Sequence, residues 1–369
     1  MNHAFRSLLL FLFALGLAAP THATVRPATG RPLANALNPD GTLRPGASGA
    51  FDARAFRMRT APDGRPVFRP AGATGAGDER WADGFGLPNG ASGTVKAVVL
   101  AGADVYVGGD FKAVGDIVAS NVARWNGSAW SSLGTGPANG LNGSVTALAI
   151  AGNGDVYAGG YFTQAGGVAA NRIAKWNGTT WSPLGTGING GNSFITALAV
   201  AGNGEVYAGG YFTQAGGVAA NNVARWNGTA WSSLGTGAAN GLNGTPYALA
   251  ITSSGEVYVG GQFIEVGGAP ANYLARWNGT AWSTVGTGAS NGVNGIVYAL
   301  TIAGNGDLYV GGSFPRVGGS VVANNVARWN GSAWSPLGTG AANVVHAVAV
   351  AGNGDVYVGG SLVTPSTGN

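Results

Sequence analysis

The sequence predicts an all-β fold, a β-propeller built from four-stranded blades. Three observations predict it. A W-N-G-x-x-W pattern recurs with its first Trp at Trp125, Trp176, Trp226, Trp277 and Trp329, at spacings of 51, 50, 51 and 52 residues. A Gly pair closes an apolar run once per period, at Gly108-Gly109, Gly159-Gly160, Gly209-Gly210, Gly260-Gly261, Gly311-Gly312 and Gly359-Gly360. Each period holds four strand-like segments, and a repeat of about 50 residues with that content is blade-sized.

One copy shows the elements. Strand A is Val145 to Ala151, rich in small and branched residues, and Gly152-Asn153-Gly154 turns it. Asn-Gly tolerates the positive φ of a tight hairpin. Strand B runs from Asp155 to Phe162, strand C from Arg172 to Trp176 and strand D from about Thr180 to Leu184. Thr163–Asn171 and Gly185–Asn192 read as the longer B–C and D–A loops. A lone four-stranded sheet leaves both faces wet, so blades stack face to face. The repeated Trp, each able to bury up to about 250 Å², fill the gaps between them. The Gly pairs mark backbone crowding, where a side chain would strike the neighbouring blade.

Five copies are complete. A sixth has strand A (Val345 to Ala351) and strand B (Asp355 to Gly360). Its missing strands are expected from the N-terminal side: Trp81 lies one repeat before Trp130, and Val67-Phe68-Arg69 reads as a degenerate strand C. This makes six blades, with residues 65–369 as the propeller. The alternative is a chain whose further blades are absent from it.

Before the repeats, Met1 to Ala23 has the parts of a secretory signal: Arg6, an apolar run from Leu8 to Leu17, and small residues ahead of Thr24. The run is too short to span a bilayer. Residues 24–64 form a leader or packed arm rich in Pro, Gly and Arg. Pro62-Asp63-Gly64 signals a turn there, and Phe51, Phe56, Met58 and Phe68 suggest short strands. The mature protein is expected to be secreted or at the cell surface, without a membrane span, and monomeric.

Composition narrows the function. Charged residues are 9% of the chain, and the net charge of +4 arises before Val95. A neutral repeat body with no basic stripe argues against a nucleic-acid partner. There is no Cys, which excludes disulfides, thiolate metal sites and thiol nucleophiles.

The Gly pair closing strand B, followed by aromatic residues on the outer strands, resembles kelch-type and galactose-oxidase-type propellers. The fuller pattern VYVGG…F…GG…A-N-N-x-A-R-W-N-G-x-x-W is closest to exported bacterial repeat proteins that resemble the fungal cortical polarity-marker propeller. This resemblance spans about Trp81 to Gly360 and implies architecture more than activity. Galactose-oxidase chemistry needs copper and a Cys-modified Tyr; without Cys that cofactor cannot form. No cofactor, metal site or catalytic set is expected.

Residues repeated in every copy read as scaffold. Asp104, Asp155, Glu205, Glu256, Asp307 and Asp355 on strand B face Arg124, Lys175, Arg225, Arg276 and Arg328 on strand C as cross-strand ion pairs. Tyr106, Tyr157, Tyr207, Tyr258, Tyr309 and Tyr357 read as core or interface. Seven Asn-Gly-Ser/Thr triplets, starting at Asn126, Asn142, Asn177, Asn227, Asn243, Asn278 and Asn330, read as turns. Function is expected where the copies disagree. The second residue of strand A is Lys96, Thr146, Thr196, Tyr247, Tyr298 and His346, and these six are the candidate ligand-binding residues. They are expected to surround one mouth of the central channel, on the face of the longer loops. The expected ligand is carbohydrate or protein, held without catalysis. The alternative is a polysaccharide hydrolase or lyase using the channel mouth.

Overall fold

The computed structural model describes residues 90–361 except 137–138, 238–239 and 287–290. It also describes short earlier stretches at 31–32, 37–38, 44, 51–52, 56–60 and 66–70. The chain has two compact units, divided between residues 86 and 87.

In the earlier unit, Phe56–Thr60 pairs antiparallel with Pro66–Pro70, and Arg31–Pro32 pairs parallel with Phe51–Asp52. Strands therefore form where the scattered Phe residues suggested them. Val67-Phe68-Arg69 sits in this hairpin, opposite Arg57-Met58-Arg59. The hairpin spans the expected boundary at 64 and 65. Trp81, the residue expected to complete the sixth blade, lies outside the described residues.

The later unit contains five four-stranded sheets in the order A-B-C-D. Strands A are Thr94–Ala101, Val145–Ile150, Phe194–Val200, Thr245–Ile251 and Ile296–Ile302. The sixth sheet, among the described residues, has two strands, Val345–Val350 and Val356–Gly360. Every pairing within the sheets is antiparallel, so each sheet is a meander joined by hairpins. Neighbouring strands A pack together from sheet one through sheet six. Among the described residues no helix is long and apolar enough to cross a membrane.

The core lies between consecutive sheets. The cluster between sheets one and two joins Val99, Tyr106 and Leu133 of one to Leu148, Val156 and Trp181 of the next. Equivalent clusters follow for each later pair. A fully buried Leu or Val contributes about 1.5–3 kcal/mol, and this pattern spreads that gain over every interface. Trp side chains also clasp neighbours through their indole N–H. Trp181 donates to Leu133 O at 2.8 Å, Trp231 to Leu184 O at 2.8 Å and Trp282 to Leu234 O at 2.7 Å.

The two glycines of each pair have different causes. A Cβ on the first would meet the next sheet: at Gly159 it would lie 2.6 Å from Ile195, and at Gly209 2.9 Å from Pro246. This matches the expected crowding. A Cβ on the second would instead strike the backbone of strand A in its own sheet, as at Gly160 against Ser144 and Gly210 against Phe194.

The expected B–C loop contains a small hairpin. Gln164–Ala165 pairs with Val168–Ala169 around Gly166-Gly167, at φ +57° and +79°. Two-residue strands are too short to show a period in sequence, so the Gly pair was its only signal.

Candidate functional site

The six candidate residues share one backbone feature. In every sheet the register of strand A against strand B slips at the same place: between Val95 and Ala97, Val145 and Ala147, Ile195 and Ala197, Pro246 and Ala248, Val297 and Ala299, and Val345 and Ala347. The skipped residues are Lys96, Thr146, Thr196, Tyr247, Tyr298 and His346. Each is the extra residue of a β-bulge, unpaired in the ladder and re-aimed by the local kink. The second glycine of the pair makes room for it, because the bulge brings the strand A carbonyl where a Cβ would stand. The repeated scaffold thus presents one side chain outside the ladder in each sheet.

The bulges lie at the end of the sheets where the longer connections gather. Leu141 bridges to Ala165, Leu242 to Val266 and Val293 to Val317. Ile188–Asn189 of the third connection pairs with Gln214–Ala215. This supports the expected grouping of B–C and D–A segments on one face.

The six side chains fall into three chemistries. Lys96 Nζ lies 2.6 Å from Asp110 Oδ2 and donates to Ser144 Oγ at 3.1 Å. Burial works against the Asp110 charge. Hydrogen bonds from Lys96 and Ser144, with the charges of Lys96 and Lys112, outweigh it and hold the carboxyl below its usual 3.8. Thr146 donates to Gly159 O at 3.2 Å and to Ile195 O of the next sheet. Thr196 repeats this with Gly209 O at 3.2 Å and Pro246 O. These hydroxyls tie neighbouring sheets together, a structural task not foreseen from sequence.

The remaining three side chains form a continuous aromatic run. Tyr247 stacks on Tyr298 with centroids 5.5 Å apart and planes at 28°. Tyr298 meets His346 at 5.0 Å and 50°. Tyr247 donates its hydroxyl to Gln262 Oε1 at 3.1 Å. Burial first, and then the neighbouring Tyr298, push the Tyr247 phenol above its usual 10. Both tyrosines are half-buried and His346 is exposed. Among the described residues, no carboxylate forms an ion pair with His346.

The repeated polar residues are scaffold. Arg124 lies 2.8 Å from Asp104, Lys175 3.2 Å from Asp155, Arg225 3.5 Å from Glu205, Arg276 3.4 Å from Glu256 and Arg328 2.7 Å from Asp307. The turn reading of Asn-Gly also holds: Asn177 Oδ1 accepts from the N–H of Thr179 at 2.9 Å and of Thr180 at 2.8 Å. Asn142 and Asn243 act differently. Asn142 Oδ1 accepts from Thr163 N and Gln164 N, and Asn243 Oδ1 from Ile264 N and Glu265 N, which fastens the B–C segment. Tyr106, Tyr157, Tyr207 and Tyr258 are buried, whereas Tyr357 is 45% exposed. Tyr357 lies in the two-stranded sixth sheet, where no strand C covers it among the described residues.

A second variable position escaped the sequence reading. The residue after the Gly pair is Asp110, Tyr161, Tyr211, Gln262, Ser313 or Ser361. Tyr161 stacks on Phe194 with centroids 4.6 Å apart and planes at 15°, and Phe194 meets Tyr211 at 5.9 Å and 27°. The two tyrosines are 49% and 55% exposed. Comparing the copies at this position would have found them.

The β-propeller domain of unknown function DUF5122 matches residues 201–228. No curated protein matches the chain. Among solved structures, YCF48 bound to D1 peptide is 16% identical, with a TM-score of 0.43 over 74% of this chain and 76% of that one. The WD40 β-propeller domain of Doa1 is 14% identical, with a TM-score of 0.39 over 74% of this chain and 91% of that one. PorZ, a bacterial surface component of the type-IX secretion system of Porphyromonas gingivalis, is 11% identical, with a TM-score of 0.46 over 82% of this chain and 42% of that one. With the repeated four-stranded sheets, the DUF5122 match makes the architecture of residues 90–361 a β-propeller.

Proposed function

We propose that this protein is an exported, non-catalytic binding module, monomeric, that takes carbohydrate at the bulge positions of its strands A. The observation that carries this reading is the aromatic run Tyr247–Tyr298–His346. Six bulges share one backbone geometry, yet three carry polar side chains engaged within the scaffold and three consecutive ones carry accessible rings. Aromatic faces take the C–H surface of a sugar, and phenol, imidazole and amide groups supply directional hydrogen bonds at the rim. Gln262, bonded to the Tyr247 hydroxyl, adds an amide to the same patch. The neutral repeat body suits an uncharged ligand. The apolar run Leu8–Leu17 supports export. The Gly pairs and outer Trp residues support a kelch-like subtype.

The test uses the chain's own alternatives. Thr occupies the equivalent bulge in two sheets, so Tyr247→Thr with Tyr298→Thr keeps the backbone geometry. On an array of neutral oligosaccharides, wild-type protein is expected to bind a defined subset and the double variant to lose it. Binding that survives the double substitution, or turnover of a bound glycan lost on His346→Ala, sinks this reading.

A further inference from the structure

We infer that a second site, between sheets two and three, binds an acidic saccharide, with its sugar rings on the Tyr161–Phe194–Tyr211 stack and a uronate carboxylate on Arg172. This goes beyond the Tyr247–Tyr298–His346 reading and uses none of its residues.

Two independent departures from the repeat meet here. The first is the stack itself. Its two outer members occupy the same repeat position in adjacent sheets, bridged by Phe194 from the start of strand A in sheet three. In the other sheets that position carries Asp, Gln or Ser. The stack is not needed to close the core, because sheets without it pack in the same manner. Both tyrosines expose about half their surface.

The second departure is Arg172. The residue before strand C has positive φ in every complete sheet: Asn121 at 65°, Arg172 at 64°, Asn222 at 66°, Tyr273 at 59° and Asn325 at 72°. Asn tolerates this conformation, while a long side chain pays strain there. Each Asn fastens the following connection, donating to Leu141 O at 2.7 Å, Leu242 O at 2.8 Å or Ala341 O at 3.0 Å. Arg172 performs that task with Nε, which donates to Ser193 O at 2.7 Å, and Nη1 donates to Phe162 O at 3.2 Å. Those acceptors directly adjoin Phe194 and Tyr161, so the guanidinium is pinned beside the stack.

Arg172 then has donors to spare, because among the described residues no hydrogen bond engages its Nη2. The bases of strand C each face a strand B acid, and Lys96 faces Asp110. Among the described residues Arg172 has no such carboxylate partner. A fixed, half-buried guanidinium without a counter-ion fits an incoming carboxylate. Within residues 90–361 Arg172 is one of three bases, with Lys112 and Arg316, that form no ion pair among the described residues, and three cations spread over three repeats give little field for a long polyanion such as nucleic acid. A ligand alternating flat C–H faces with single carboxylates satisfies both features, and a uronic-acid oligosaccharide has that chemistry.

Isothermal titration with oligogalacturonate and oligomannuronate of defined length, against neutral malto-oligosaccharide of equal length, tests this. Arg172→Asn and the pair Tyr161→Ser, Tyr211→Gln install residues that other sheets already carry, and thermal melts confirm that they fold. Wild type is expected to bind at least one uronate more tightly than the neutral sugar. Arg172→Asn should weaken that binding tenfold or more and remove its salt dependence. The tyrosine pair should abolish it, and Tyr247→Thr with Tyr298→Thr should leave it unchanged. No binding of either uronate, equal affinity in Arg172→Asn, or a preference for an acidic peptide over both uronates overturns the inference. Failure of the Tyr247–Tyr298 site alone does not affect it.

Discussion

Gly159 and Gly152 separate two uses of the same residue. Gly159 faces Ile195 and Leu198 of the next sheet, whereas a Cβ at Gly152 meets nothing within 4 Å. Gly159→Ala should therefore destabilise by about 1–3 kcal/mol through overpacking, and Gly152→Ala by only a few tenths. Chemical denaturation of both checks this. Thr196 offers a second residue-scale test. Its hydroxyl bonds to Gly209 O and Pro246 O, both in buried residues, so Thr196→Val should cost about 1–2 kcal/mol by removing that contact between sheets. A purely ligand-facing residue would show no such cost. At Asp110 the carboxyl sits below its usual 3.8, so its contact with Lys96 is favourable above that pH and fades as pH falls from 3.8 through the lower folded value. Carboxyl carbon shifts followed by NMR should show Asp110 titrating below a free aspartate, and Lys96→Ala should raise it. These roles were only partly legible. Variation among copies marked the bulge residues, but nothing in sequence separates a Thr that binds its neighbour from one awaiting a ligand.

Strand D of each blade carries a Trp whose task depends on its neighbour. Trp231 donates to Leu184 O, while the buried Nε1 of Trp334 has no acceptor among the described residues. Trp231→Phe is expected to cost about 1 kcal/mol more than Trp334→Phe, a difference measurable as separate denaturation midpoints with unchanged slopes. Equal losses would show that packing, not the indole bond, sets the value of these Trp. The strands themselves were legible because they are long or recur: the Gly pairs, Asn-Gly turns and Trp pairs mark A to D in five copies. The B–C hairpin was not, since a pair such as Gln164-Ala165 shows no period of its own. The bulge was present in sequence as the second glycine of every pair, but the crowding of the first offered a sufficient reason for both. Its meaning needed the register of strand A against strand B.

For the later unit as a whole, repetition fixes a scaffold and variation decorates it. The decorations concentrate where strands A start and strands B end: charged at Lys96 and Asp110, hydroxyl-bearing at Thr146 and Thr196, aromatic at Tyr161, Phe194 and Tyr211, and aromatic again at Tyr247, Tyr298 and His346. The opposite ends, with their Asn-Gly turns, are nearly uniform from copy to copy. Comparing the copies marks that contrast, and marks Tyr161 and Tyr211 as variable, but that Phe194 joins Tyr211 follows only from strand pairing. Both proposed sites place ligand at this variable end. Hydrogen–deuterium exchange on the intact protein, with and without a saturating bound oligosaccharide, tests it most directly. Added protection is expected in peptides covering residues 94–96, 160–163, 193–196, 245–247 or 296–298. Protection confined to the turns at 152–154, 202–204 and 304–306 would contradict it.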